Sequence, residues 1–178
     1  MAADLLDLYR QASHWAAEKA AGAHDLDAAT PCPEWRVRDL MNHMLDTQRY
    51  FVSAARGEDA APPSPTPPDL LSDSPVDDFE QARAETLSVF GASGVIDKTG
   101  PSLGIAFSDQ LLHGWDLATA TDQDATMPDG LPEAAYGLIH GRFTEEQRKG
   151  VFKPEIAVPD DASAQDKLLA YTGRDPRA

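Results

Sequence analysis

An all-α fold, a four-helix bundle with a long crossover and short extra C-terminal helices, follows from three observations. Apolar residues recur at helical spacing in four long segments. No alternating strand series occurs. One proline-rich stretch separates the first pair of segments from the second. The 178 residues, 42% of them hydrophobic, suit one domain with a sizeable core over 1–178.

Leu5, Tyr9, Ala12 and Ala16 form one stripe of a first helix over 3–22, ended by Gly22. A second helix is expected to open at Pro33–Glu34. Proline lacks an amide to satisfy in a first turn, and an acid suits the positive end of the helix dipole. Val37, Leu40, Met41, Met44 and Phe51 supply its buried stripe, and it ends near Arg56–Gly57. The prolines of 59–75 fix φ and remove donors, so this stretch is an extended surface connection. It is too short to divide two domains. A third helix is expected over 76–91, with Phe79, Ala82, Leu87 and Phe90 inward. A fourth runs from Ile105 to Thr121, Pro132 opens a fifth, and Ser163 to Tyr171 forms the last, stopped by Gly173. VFKPEIAV has an extended composition, but Pro154 makes it a poor central strand.

Thirty acidic against 15 basic residues give a net charge of −15. Such a surface repels phosphate backbones and anionic lipid, so no nucleic-acid or membrane partner is expected, and it also serves solubility. Cys32 is the only cysteine, which excludes an internal disulfide and a thiolate zinc site. No basic, apolar leader opens the chain and no apolar run approaches the ~20 residues of a membrane span, so a cytoplasmic protein is expected. A glycine-rich phosphate loop, GxGxxG, GxSxG, HExxH and CxxC are all absent.

The five histidines are His14, His24, His43, His113 and His140. Asp109 and His113 are four apart, one turn above each other on one helix face, and can offer an oxygen and a nitrogen to one ion. A third ligand must come from another helix, and His43 is the histidine well inside one. The same spacing also makes a plain charge pair on a helix surface, and the wheel leaves that open. Asp109 and His113 sit around from the stripe of Phe107, Leu111 and Trp115, and His43 shares a flank with Thr47 and Tyr50. A flank position is where a bundle opens into a cleft, which a ligand-exchanging metal needs. His24 reads as a solvated loop residue, and His14 and His140 as surface or packing residues, with His14 the substitute ligand. Trp15, Trp35 and Trp115 read as packing residues. Cys32, between two prolines, reads as a small buried residue with no base beside it.

PCPEWRVRDLMNHM and FSDQLLHGWDLATAT resemble the DinB-like metal-binding proteins of actinobacteria. More narrowly, they resemble the metal-binding domain of mycothiol-dependent maleylpyruvate isomerase and its uncharacterised relatives. ASAQDKLLAYTGRDP is similar to the C-terminal end of such relatives. The resemblance implies a four-helix bundle with one divalent metal, zinc first and nickel, iron or manganese as alternatives. Its ligands would be His43, in a Trp-x-Val-x-x-Leu-x-x-His pattern, and the pair Asp109 and His113. It also implies mycothiol or another low-molecular-weight thiol as cosubstrate. Two departures stand out: Asp109 replaces the glutamate usual in isomerase-like members, and the chain ends before the isomerase's additional C-terminal domain. The expected function is therefore a metal-dependent thiol transferase or isomerase-like enzyme acting on a small molecule. The rival is a non-catalytic bundle that binds a small ligand or partner. Asp46 and Asp116, within a turn of the ligands, are the candidates to orient a ligand or accept a proton. Pairing into a homodimer is left open.

Overall fold

The computed structural model describes residues 4–149 and 152–177, and within them the chain is an all-α bundle. Helix α1 (Leu5–Ala21) is capped by Asp4, whose side chain accepts from the Leu6 amide at 3.1 Å. The expected start at residue 3 lies outside the described residues. The expected stripe faces inward, with Tyr9, Ala12 and Ala16 fully buried and Leu5 half-buried.

Helix α2 (Val37–Arg56) begins four residues after the expected Pro33. Residues 32–35 make a turn instead, closed by Trp35 N–H to the Cys32 carbonyl at 2.9 Å, with the Thr30 hydroxyl against the Cys32 and Trp35 carbonyls. The preceding loop satisfies the orphan amides of the real start. Val37 and Arg38 donate to the carbonyls of Ala28 and Leu26, and Asp39 accepts from the Arg36 amide at 2.9 Å. Gly57, at φ 74°, ends the helix in the left-handed region.

The proline-rich crossover is tied at two points. Trp35 Nε1–H donates to the Pro65 carbonyl at 2.8 Å, and Asn42 Oδ1 accepts from the Leu70 and Leu71 amides at 2.7 and 3.0 Å. Helix α3 (Pro75–Phe90) follows, with Pro75 in its first turn.

Helix α4 (Val95–Ala120) starts ten residues before the expected Ile105. Gly100 and Pro101 are poor helix formers, and an interior proline costs about 3 kcal/mol. Burial of Leu103, Ala106 and Phe107 on the core side carries the helix through them. Helix α5 (Leu131–Ile139) and α7 (Ala164–Tyr171) agree with expectation, and a short α6 (Glu145–Lys149) was not anticipated. Val151, the first residue of VFKPEIAV, lies outside the described residues. The rest is extended without joining a sheet, held by Ile156 N–H to the Ala170 carbonyl at 3.0 Å.

Helix α1 packs on α4 and α3, α2 on α3 and α4, and α5 on α4 and α7. Helices α1 and α4 approach closely at Gly114, where an added Cβ would lie 2.7 Å from the Trp15 ring. One apolar cluster joins Phe107, Leu111 and Trp115 to Leu131, Leu168 and Tyr171, so the C-terminal helices share the bundle's interior. No helix among the described residues is long and apolar enough to cross a membrane.

Candidate metal centre

The bundle brings His43 of α2 to Asp109 and His113 of α4. His43 Nε2 lies 3.7 Å and His113 Nε2 3.6 Å from the same oxygen, Asp109 Oδ1. The ligand-type atoms of all three lie within 4.8 Å of one another. The side chains keep only 14%, 17% and 12% of their exposure respectively, which rules out a solvated surface pair.

The separations discriminate further. A charge-assisted contact between imidazole and carboxylate closes to about 2.8 Å. Ligands on a tetrahedral ion with bonds of about 2.1 Å stand about 3.4 Å apart. The two contacts to Asp109 fall near the second spacing. Asp109 Oδ2 and His43 Nδ1 are buried without a hydrogen-bond partner, an unusual expense for polar atoms. Two imidazole nitrogens and a carboxylate form a donor set that can hold a divalent ion with positions left open. Burial pushes the Asp109 carboxyl up, but the imidazoles of His113 and His43 outweigh it and hold the group below its ordinary value.

Asp116 is fully buried, one turn beyond His113, whose Nδ1 it meets at 2.9 Å through Oδ2. Arg174 closes on the same carboxylate as a fork, Nε to Oδ1 at 2.8 Å and a terminal nitrogen to Oδ2 at 2.7 Å. The Cys32 thiol also points at Oδ2, at 3.5 Å. Burial raises the Asp116 carboxyl, but Arg174 and the hydrogen bond from His113 hold it well below the carboxylate range. Burial and then the Asp116 charge push the Cys32 thiol up to about 12.

Asp46, the other expected orienting residue, is half-buried and has no hydrogen bond or ion pair with the cluster. His14 is exposed beside Glu18 at 3.7 Å, His24 is an exposed loop residue, and His140 stacks on Tyr136 at 4.6 Å. Trp15 and Trp115 pack in the core as expected. Trp35 does more than pack: its ring lies 4.4 Å from that of His43 and 5.9 Å from that of His113. Sequence reasoning also missed Arg174. The available signal was an arginine directly after the helix-stopping Gly173 in a chain poor in cations.

Residues 9–118 match the family described as the mycothiol maleylpyruvate isomerase N-terminal domain. Two uncharacterized proteins of Mycobacterium tuberculosis, from strains CDC 1551 and H37Rv, are each 29% identical over 169 residues. That alignment covers 87% of this chain and 88% of theirs. No solved structure gives a significant match. The matched segment contains His43, Asp109, His113 and Asp116, and spans more than half of the sequence. On that match, the chain belongs to the mycothiol maleylpyruvate isomerase N-terminal domain family.

Proposed function

We propose that this chain holds one divalent metal ion, zinc first, through His43 Nε2, Asp109 and His113 Nε2. In this reading it uses the ion with a low-molecular-weight thiol such as mycothiol, in a thiol-transfer or isomerase-like reaction on a small molecule. The observation that carries the reading is the convergence of three mostly buried donors at spacings too long for hydrogen bonds and suited to shared ligands. Membership of a mycothiol-related family supports the thiol.

When bound, such an ion supplies a positive charge that lowers the pKa of an adjacent thiol. The chain's own residues set the conditions around it. Asp109 is the one ionised donor among the three, so a divalent ion keeps a net positive charge. Asp116 adds little negative field, because Arg174 neutralises it at contact distance. Cys32, with its thiol pushed up to about 12, stays protonated at neutral pH and is a poor nucleophile. In this reading the reacting thiol is the low-molecular-weight one and comes from outside the chain. The Trp35 ring covers one face of His43 and restricts how that imidazole turns.

Elemental analysis of protein purified without an affinity tag tests the metal. About one ion per chain is expected in the wild type and a large loss in His43→Ala. Near-zero metal, with a melting temperature unmoved by added Zn²⁺, overturns the proposal. Transfer of a thiol to a soluble electrophile, compared between wild type and His43→Ala, tests the chemistry. A rate indifferent to the substitution favours the non-catalytic binding bundle instead.

A further inference from the structure

Arg174 lies outside the segment that matches the family, 58 positions from the carboxylate it grips. Its approach is built by the end of α7. Gly173 takes φ 77°, and the Gly173 and Arg174 amides donate back to the carbonyls of Ala170 and Leu169 at 3.0 and 2.9 Å. This reversal turns the chain inward rather than out to solvent. A Cβ at residue 173 would collide with Lys153 Cβ, so the reversal is packed as well as bent. Lys153 in turn donates to the Pro31 carbonyl at 2.7 Å, beside Cys32.

The result is a carboxylate with no freedom. Asp116 accepts two bonds from Arg174, one from His113 Nδ1 and a weak one from the Cys32 thiol, and is fully buried. A carboxylate can only accept from Arg174 and from a protonated His113 Nδ1. In neutral His113 the proton is thereby kept on Nδ1, and the lone pair of Nε2 faces Asp109. His43 has no carboxylate partner on that atom: its Nδ1 is buried and unpaired, and its Nε2 lies 3.4 Å from the Thr47 hydroxyl. The two imidazoles are unequal: only His113 has a carboxylate on its Nδ1.

We propose that Arg174 is a positioning residue of the metal centre, locking Asp116 so that His113 presents Nε2 in the ligating tautomer. This rests on the metal reading of the same site, but its first test needs no metal. Proton–nitrogen correlation spectra of the histidine rings in metal-free protein at neutral pH report the tautomer directly. Wild type is expected to show His113 protonated on Nδ1, and Arg174→Gln a mixture of tautomers. Titration with Co²⁺, read by its visible absorption, is expected to show a loss of roughly 10- to 100-fold in affinity for Arg174→Gln. Arg174→Lys keeps the charge without the fork, and is expected to fall between the two.

Unchanged ring signals and unchanged Co²⁺ affinity in a folded Arg174→Gln overturn the proposal. Should Arg174→Gln fail to fold, Arg174→Lys carries the same comparison, and wild-type values for both readouts overturn it there. A wild type that binds no Co²⁺ overturns the metal function alone, since the tautomer comparison still decides the role of Arg174.

Discussion

Asp116 and Arg174 are each worth more to the fold as a pair than either is alone. Removing one partner of a buried pair strands the other charge away from water. Asp116→Ala is expected to cost about 3–5 kcal/mol in urea denaturation. Its pH dependence has a fixed sign. The folded-state pKa of Asp116 lies below its unfolded value of about 3.9, so its contribution is complete above that value. It is lost as pH falls toward the lowered folded value. Melting temperatures measured from pH 6 down to pH 2 are therefore expected to fall more steeply in wild type than in Asp116→Ala. A parallel pair of curves would contradict this. Cys32 gives a second check. Because burial and Asp116 disfavour its thiolate, alkylation by iodoacetamide at pH 8 is expected to run at least roughly tenfold slower than for free cysteine. Mass spectrometry of timed samples measures it, and rapid labelling would show that the thiol is not held as described.

Among the helices, the contact between α1 and α4 depends on a missing side chain. Gly114 follows His113, and Trp15 and Ala16 fill the space a methyl group would need, at 2.7 and 3.3 Å. Gly114→Ala improves helix propensity by about 1 kcal/mol but overpacks a buried seam. A net loss of about 1–3 kcal/mol is expected by urea denaturation, and a stabilised variant would show that the helices can part freely. The same elements show what a linear reading can reach. His43 and the Asp109–His113 pair were legible because one turn separates the pair and a long helix carries the third. The start of α2 was misplaced because Thr30 and two prolines build a turn that mimics a helix start. The first ten residues of α4 were missed because Gly100 and Pro101 hide a segment held by burial. Arg174 was illegible as a partner of Asp116, since 58 residues separate them and only folding sets their distance.

The whole chain acts as more than its matched segment. Leu168, Leu169 and Tyr171 of α7 share a core with Phe107 and Trp115 of α4, and Arg174 ties the same region to Asp116. One cooperative transition, coincident by circular dichroism and tryptophan emission, is expected in urea. Two separated transitions would divide the chain into independent units.

The indole of Trp35 gives the centre an optical reporter of its own. Trp15 and Trp115 are buried against apolar neighbours, whereas Trp35 sits within 4.4 Å of an imidazole that would carry the ion. Paramagnetic Co²⁺ bound there is expected to quench its fluorescence. Substituting Trp35 by phenylalanine should then abolish most of the signal, so occupancy can be followed in solution without a label.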